Sequence, residues 1–310
     1  MAAAADVGAG GTTVEDLHGD VLTRILRRLD GPSLAAAGCA TARLRELADQ
    51  PDLWEELCKS TWPSLRHRRL RPMLAVAPRT FFSDAYTFPG GRGDAGEGPA
   101  VGEPPPPRLL SAVDLFHRGK LVFSTLVETD TRSSWFLGSP FRVEALAGGG
   151  AGPVSVGDLR LSWIIIDDIR RRAVNLSSRR PVAVQRRWYA GTTHVRFATV
   201  LGRGNAAAAA VVACEQAAMA PLEVSLCVED ADGVCLSGKE SLTMLRGVLA
   251  GERKHGGGAA EEEARAAYAG FVARRRAGKE QTATRERRRD LCCVVFGFFL
   301  LVFLAALVLR

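Results

Sequence analysis

A chain of 310 residues, 47% of them hydrophobic, is long enough to bury a sizeable core, which excludes wholesale disorder and suggests two modest domains with linkers. The formal net charge is +7, and the segment 271–290 supplies most of it, with eight basic residues against three acidic ones. The seven cysteines form no zinc-site pattern with the histidines, and their odd number without a secretion signal predicts a reducing compartment.

The first predicted element is helical. Residues 1–13 are small and flexible and are expected to be disordered. The stretch 14–62 then shows helical periodicity, with breaks at Gly31-Pro32 and before Pro51. The apolar residues of its first helix recur on one face, and these are Leu17, Val21, Leu22, Ile25, Leu26 and Leu29. In the last short helix of this stretch, Trp54 is expected to face inward.

A module of about fifty residues cannot bury a generous core, so a wide apolar stripe on it is usually covered by a partner. The segment LHGDVLTRILRRLDGPSLAAAGCATARLRELADQPDLWEELC resembles an F-box, with a leucine-rich first helix, a DGPSL turn and a closing DLWEEL. It departs from the family at His18, where proline is usual, and at Leu44, where many members carry tryptophan. An ordinary helical hairpin with a self-contained core is the alternative.

The resemblance implies a three-helix fold that docks on a Skp-type linker protein of a cullin ubiquitin ligase. Trp54 is expected to support that fold. The expected docking contacts are Leu17, Leu22, Ile25, Leu26, Leu29 and Leu34.

The next two segments differ in composition. Residues 63–88 carry mixed helical signals and are predicted to form a helical extension of the first module. Residues 89–108 are rich in glycine and proline, and they are predicted to form a linker with a stiff polyproline stretch.

Residues 109–249 are predicted to form a β-rich substrate-binding domain. Short runs of β-branched and aromatic residues, separated by turn signals, predict an antiparallel, sandwich-like arrangement, so the expected fold class is α+β. The strand candidates are Ser111–Phe116, Lys120–Val127, Phe141–Leu146, Leu159–Asp167, Ala173–Leu176, His194–Leu201, Ala208–Glu215, Leu222–Glu229 and Val234–Leu236. A helix capped by Ser237 is expected to follow.

Three segments of this domain are similar to the C-terminal region of a small group of plant F-box proteins. They begin at Ala112, Leu161 and Val224, and they read AVDLFHRGKLVFSTLVETDTRSSWFLGSPFRVE, LSWIIIDDIRRRAVNLSSRRPVAVQRRW and VSLCVEDADGVCLSGKESL. The resemblance supports the architecture and leaves the substrate open.

Arginines concentrate in the middle of the β-rich domain. If the fold brings them together, they form a grip for an acidic segment or a phosphate group. The substrate contacts predicted on this basis are Arg179, Arg180, Arg186 and Arg187. The alternative is a solvated sheet edge that its charge protects from pairing.

The C-terminal part is predicted to meet a membrane. Residues 250–290 read as a polar and basic juxtamembrane segment with a helix at Ala259–Arg276, and residues 291–309 carry no charge. Nineteen apolar residues match the thickness of a bilayer, at about 1.5 Å per residue. The interpretation is a single-pass tail anchor, with residues 1–290 facing the cytosol because the basic residues precede the span.

No catalytic constellation is found. The sequence has no zinc-binding, nucleophile-elbow or phosphate-loop motif, so no metal, cofactor or enzymatic activity is predicted. The basic excess is assigned to the C-terminal segment, so nucleic acid is not predicted as a partner. The functional interpretation is a membrane-tethered adaptor that links a Skp-type linker and cullin to a protein substrate. The alternative is a tail-anchored structural or trafficking protein without a ubiquitin-ligase role.

Overall fold

The structure is a computed structural model that describes residues 17–89, 106–146, 152–202, 204–251, 253–254 and 258–308. The segment predicted to be disordered, 1–13, lies outside these residues, as do all but the ends of the predicted linker 89–108.

The N-terminal part is helical, as predicted. Its helices are α1 (Gly19–Leu26), α2 (Gly31–Ala40), α3 (Ala42–Ala48), α4 (Pro51–Thr61), α5 (Arg71–Val76) and α6 (Pro78–Tyr86). Short 3₁₀ turns at Pro63–Arg66 and Arg68–Leu70 join α4 to α5.

Side-chain caps set where these helices begin. The Asp30 carboxylate accepts a hydrogen bond from the Ser33 backbone N–H at 2.9 Å at the start of α2. Hydrogen bonding from the side chain and the backbone of Ser33 lowers the pKa of Asp30. The Thr41 hydroxyl accepts from the Leu44 N–H at 3.2 Å at the start of α3. Pro51 occupies the first turn of α4, where its missing N–H is not needed.

The strands follow from residue 88 onward. They are β1 (Phe88–Pro89), β2 (Arg108–His117), β3 (Lys120–Asp130), β4 (Arg142–Leu146), β5 (Leu159–Asp167), β6 (Arg172–Asn175), β7 (Ala183–Arg187), β8 (Thr192–Leu201), β9 (Ala206–Glu215), β10 (Pro221–Asp230) and β11 (Arg253–Lys254). The remaining helices are α7 (Ser134–Gly138), α8 (Gly238–Ala250) and α9 (Gly258–Val308).

Two main sheets organise the strands, and all of their pairings are antiparallel. A four-stranded sheet has the order β3-β2-β5-β6, and a five-stranded sheet has the order β4-β10-β9-β8-β7. β1 and β11 form a separate short pair. The predicted α+β fold with antiparallel sheets is confirmed for the described part of the chain.

The elements stack in layers. Along β2, Leu109 and Val113 face the five-stranded sheet, whereas Leu110 and Ala112 pack on the N-terminal helices. The outer face of the five-stranded sheet is covered by α9, with Phe271 among the contacts. The order is therefore helices, four-stranded sheet, five-stranded sheet and α9.

The helices are attached to the four-stranded sheet by a buried polar contact as well as by apolar packing. The Asp114 carboxylate on β2 accepts hydrogen bonds from the Ser64 backbone N–H at 2.9 Å, the Ser64 hydroxyl at 2.6 Å and the Ser124 hydroxyl at 2.7 Å. The residues predicted as a first module, a helical extension and a β-rich domain thus share one interface.

Several predicted elements are confirmed at their positions and others differ. β5 has the predicted bounds, and Ser237 caps α8 through a capping box with Glu240. The strand predicted at Val234–Leu236 is instead a single bridge between Cys235 and Glu229. β7 lies outside the strand predictions, because its polar residues do not alternate with apolar ones.

The prediction of a transmembrane tail anchor at 291–309 is wrong. A membrane-spanning helix needs about 20 predominantly apolar residues. In the part of the chain that the structure describes, no helix contains a segment that is both apolar enough and long enough to cross a bilayer. Three further predictions depend on that anchor and are wrong with it. They are the membrane partner, the single-pass topology with residues 1–290 facing the cytosol, and the tail-anchored alternative.

Candidate docking surface on the first helix

The apolar residues of α1 and its entry divide between two sides of the helix. Leu22 and Leu26 are 2% and 3% exposed, whereas Leu17, Val21 and Ile25 are 38%, 45% and 47% exposed. Each set repeats every four residues, so each forms its own row along the helix. One row is buried within the chain, and the adjacent row of Leu17, Val21 and Ile25, here called the α1 row, faces outward.

The buried row is held by the following helices. Leu26 and Leu34 belong to one apolar cluster with Leu53 and Trp54 of α4. Leu29 is half-buried against the same cluster. The side chains that attach α1 to the module therefore belong to the same apolar face whose spacing predicts contact with a partner.

Polar contacts fix the position of the α1 row. The Arg43 guanidinium on α3 donates a hydrogen bond to the Leu17 carbonyl oxygen at 2.9 Å. Arg27, at the C-terminal end of α1, lies 3.6 Å from the Glu56 carboxylate on α4. Because neighbouring helices hold both ends of α1, the α1 row is presented on a fixed surface.

Trp54 lies at the centre of the helical module. Its indole N–H donates to the Ala48 carbonyl oxygen at 2.7 Å, and its ring packs edge-on against Phe82 with a centroid distance of 5.5 Å. The guanidinium of the exposed Arg79 lies 5.6 Å from the Trp54 ring centroid. These contacts join α3, α4 and α6.

The six predicted docking residues do not share one surface. Leu17 and Ile25 are exposed, Leu29 is half-buried, and Leu22, Leu26 and Leu34 lie in the chain's own core. Val21 completes the exposed row, although it is absent from the predicted contacts. Its spacing of four residues from both Leu17 and Ile25 is the sequence signal that identifies it.

The four predicted substrate-contact arginines are also separated. Arg179 is mostly buried, with its guanidinium 4.4 Å from the Tyr86 ring centroid and 4.9 Å from that of Phe88, and it donates to the Tyr86 carbonyl oxygen. Arg179 and Arg180 both pair with Glu261 on α9, at 3.3 and 3.4 Å. These two arginines therefore join α9 to the rest of the fold.

The other two arginines lie on β7. Arg186 and Arg187 are adjacent and exposed, so their side chains point to opposite faces of the strand. Arg187 lies within hydrogen-bonding distance of the Tyr189 hydroxyl, at 3.3 Å. The structure does not gather the four arginines into one grip.

Two buried thiol groups are held in their neutral form by the fold. Burial raises the pKa of the Cys58 thiol to about 12 and that of Cys227 to about 12, so both stay protonated at neutral pH. Within the described ranges, no group of three or more histidine, cysteine, aspartate or glutamate side chains is arranged to hold a metal ion. The geometry thus presents surfaces for binding, and the thiolate needed for nucleophilic chemistry is disfavoured at these buried cysteines.

Comparisons with known proteins support the resemblance over most of the chain. The chain is 41% identical over 264 residues to the probable F-box protein At2g36090 of Arabidopsis thaliana, covering 79% of each chain. It is 36% identical over 277 residues to the F-box protein At2g27310 of the same plant, covering 78% of this chain and 81% of the relative. It is also 35% identical over 282 residues to the F-box protein At3g44326, again of Arabidopsis thaliana, covering 79% and 76%.

These alignments are several times longer than the helical module, so they include the β-rich part as well. No family model matches the chain, and no solved structure matches it.

Proposed function

This chain belongs to the family of plant F-box proteins, and from that premise we propose that it recruits substrates to a Skp–cullin–F-box ubiquitin ligase. In this role the helical module binds a Skp-type linker protein, which connects it to the cullin. The layered β-sheet part binds the protein that is to be ubiquitinated. The adaptor brings two proteins together and needs no catalytic residue of its own.

The α1 row is the observation that carries this proposal. Leu17, Val21 and Ile25 are large apolar side chains in consecutive turns, and they remain exposed although the helix beneath them is packed. A row of this kind provides the apolar centre of a helix-binding interface. Arg24 and Arg28 lie beside it on the exposed surface, and they supply a polar, positively charged rim.

The proposal assigns the two apolar rows different tasks. The α1 row contacts the linker, while Leu22 and Leu26 keep α1 attached to the module. The proposed docking contacts are therefore Leu17 and Ile25 from the predicted set, together with Val21. Leu34 and Trp54 contribute through the fold, since both are buried in the cluster that supports α1.

Co-purification with the linker tests the proposal. The full chain is co-expressed with a Skp-type linker and a cullin, and capture is compared among the native chain, Ile25→Asp and Val76→Asp. Ile25→Asp places a charge within the expected interface and should reduce capture by about tenfold or more. Val76 on α5 is also exposed, so Val76→Asp makes the same kind of change on another surface of the helical module.

Capture of the linker by the native chain and by Val76→Asp, with loss in Ile25→Asp, is the expected result. Equal capture by all three proteins contradicts the assigned surface. Absence of capture by the native chain contradicts the adaptor function itself. The circular dichroism spectra of the variants show whether either substitution disturbs the fold.

A further inference from the structure

A groove runs between β7 and α9 on the opposite side of the molecule from the N-terminal helices. β7 is the last strand of the five-stranded sheet, so one of its edges has no neighbouring strand in that sheet. The side chains of Ala183, Gln185 and Arg187 form one wall of the groove, and α9 forms the other. The groove has a volume of about 800 Å³.

The floor of the groove is anchored by packing between α9 and the sheet. Tyr268 is buried and Val272 is half-buried, and both pack against the alanine-rich outer face of the sheet. The groove is therefore part of the docked structure of α9. The residues of α9 that line the groove lie between Glu262 and Lys279, in the N-terminal half of that helix.

The groove is strongly cationic. Six basic side chains and a single carboxylate line it. The basic residues are Arg187, Arg196, Arg265, Arg275, Arg276 and Lys279.

Only some of these charges are neutralised within the described part of the chain. Arg196 and Arg275 both pair with the Glu229 carboxylate, at 2.7 and 3.2 Å, and Arg265 lies 3.4 Å from the Glu262 carboxylate. No carboxylate in the described ranges pairs with Arg276 or Lys279, and Arg187 donates a hydrogen bond to the uncharged Tyr189 hydroxyl. The side chains without a carboxylate partner, Arg187, Arg276 and Lys279, are exposed, so an incoming acidic group is able to reach them.

We infer that the groove between β7 and α9 binds an extended acidic segment of a partner protein. The segment adds as a strand to the free edge of β7 and sets its carboxylates against Arg187, Arg276 and Lys279. A strand edge offers backbone hydrogen bonds that a peptide satisfies in register, and the alternate side chains of that peptide then meet the groove. The inference rests on the proposed function only in identifying this partner as the substrate to be ubiquitinated.

The exposed aromatic pair at the end of β7 extends this surface. Trp188 and Tyr189 are 83% and 68% exposed and pack edge-on with a centroid distance of 6.0 Å. Aromatic side chains beside cations are typical anchors for a bound protein segment. An apolar residue that flanks the acidic stretch therefore has a surface to rest on.

The charge of β7 argues against a second copy of this chain as the occupant. Pairing two β7 edges brings Arg186 and Arg187 of one copy next to the same cations of the other, and like charges on paired strands are destabilising. An acidic strand removes this repulsion. The same arginines thus discourage self-association and favour an acidic partner.

Peptide binding to the full chain tests the inference. The probe is a short fluorescein-labelled peptide in which glutamate alternates with valine, and fluorescence anisotropy measures its affinity. We expect saturable binding that weakens as salt is raised. The double variant Arg276→Glu/Lys279→Glu should lower the affinity by about tenfold.

Two controls separate the groove from general electrostatics. The double variant Arg285→Glu/Arg288→Glu makes the same change in charge on exposed residues of the same helix outside the groove, and it should leave the affinity within about twofold. A second peptide carries proline at alternate positions, so it keeps its charge but loses backbone N–H donors. That peptide should bind at least about tenfold more weakly, since it cannot complete a strand pairing.

Four outcomes overturn the inference. They are the absence of saturable binding, equal loss in the two double variants, equal affinity of the proline peptide, and equally tight binding of a single-stranded DNA of the same charge at the groove. Capture of the Skp-type linker is measured on the same preparations. Linker capture without peptide binding contradicts the groove as a binding site and leaves the adaptor function in place. Peptide binding without linker capture contradicts the adaptor function and leaves the groove in place.

Discussion

The ring of Phe82 lies directly over Gly31, and a Cβ atom built on Gly31 would overlap the Cε1 and Cζ atoms of that ring. Gly31 is the first residue of α2, and Phe82 lies in the middle of α6. The contact brings α2 and α6 together beside Trp54, whose ring also touches Phe82. The position requires glycine because the backbone passes so close to an aromatic face.

Gly31→Ala is therefore expected to destabilise the helical module. The added methyl group must displace a buried ring in a packed core, which costs about 1–3 kcal/mol in the free energy of unfolding. Urea denaturation followed by tryptophan fluorescence measures the change. Gly247→Ala is the matched control, because Gly247 lies exposed inside α8 with nothing near its Cβ position, and alanine there should raise stability by about 0.5–1 kcal/mol. Equal effects of the two substitutions would show that the contact with Phe82 is not the reason why position 31 requires glycine.

The two rows of α1 are expected to differ in what they stabilise. Leu26→Ala removes a side chain from the buried cluster and should lower the free energy of unfolding by about 2–4 kcal/mol. Ile25→Ala changes an exposed residue and should alter it by less than about 0.5 kcal/mol, while still weakening capture of the linker. Thermal unfolding of each variant, together with linker capture, makes the comparison. A large loss of stability in Ile25→Ala would mean that the chain itself covers the α1 row.

This division limits what the sequence alone is able to predict. The helical spacing identifies the apolar face of α1 and the breaks at Gly31-Pro32 and Pro51. It does not indicate which half of that face is covered, because the covering residues Leu34 and Trp54 are fixed only when the helices pack. Periodicity reports a shared face and carries no information on the neighbour.

The sheets show the same limit for different reasons. The run Leu159–Asp167 predicts its strand correctly because an uninterrupted apolar segment between turns has few alternatives. In β9, the run Ala206–Ala210 favours a helix by propensity. It forms a strand instead, and it is buried on one face against the four-stranded sheet and on the other against α9, where small side chains fit. The groove beside β7 could not be predicted, since α9 reaches that strand from about eighty residues away along the chain.

The carboxyl group of Asp114 should give stability a characteristic dependence on pH. Burial is the largest influence and raises the pKa of Asp114 above its usual 3.8, although hydrogen bonds from Ser64 and Ser124 act in the opposite direction. The folded chain therefore holds this proton more tightly than the unfolded chain. Its contribution to stability is fully present below pH 3.8 and is lost as the pH rises through the folded-state pKa.

Asp114→Asn removes this titration while keeping an oxygen that accepts from Ser64. The difference in free energy of unfolding between Asp114→Asn and the native chain should grow in favour of the variant as the pH rises above 3.8 and then level off. Urea titrations at a series of pH values measure the free energy of unfolding of both proteins. Taking the difference removes the contributions of the other carboxyl groups, which the two proteins share. A difference that is constant with pH would contradict the raised pKa.

The cysteines should separate into reactive and protected groups. Cys39 and Cys235 are two of the four exposed cysteines, whereas Cys58 is buried with its pKa raised to about 12 and Cys214 is buried with its pKa raised to about 11. Because the thiolate is the reactive species, iodoacetamide at neutral pH should modify the exposed pair and spare the buried pair. Mass spectrometry of the digested protein identifies the modified positions. Modification of all four in urea confirms that burial gives the protection, and rapid modification of Cys58 in the native chain would contradict its placement.

Arg179 should act on stability, in contrast to the substrate contact expected from the sequence. Its guanidinium stacks on Tyr86 and Phe88 and pairs with Glu261, so it joins α6 and β1 to α9. Arg179→Lys keeps the charge but loses the planar stacking surface, and it should lower the free energy of unfolding by about 1–2 kcal/mol. Arg186→Lys is the control, because that side chain is exposed on β7 and should change stability by less than about 0.5 kcal/mol. Chemical denaturation compares the two variants. Arg179 lies outside the groove between β7 and α9, so Arg179→Lys should leave binding of the acidic peptide unchanged under native conditions. If Arg179→Lys instead lost peptide binding while keeping full stability, Arg179 would be a contact residue after all.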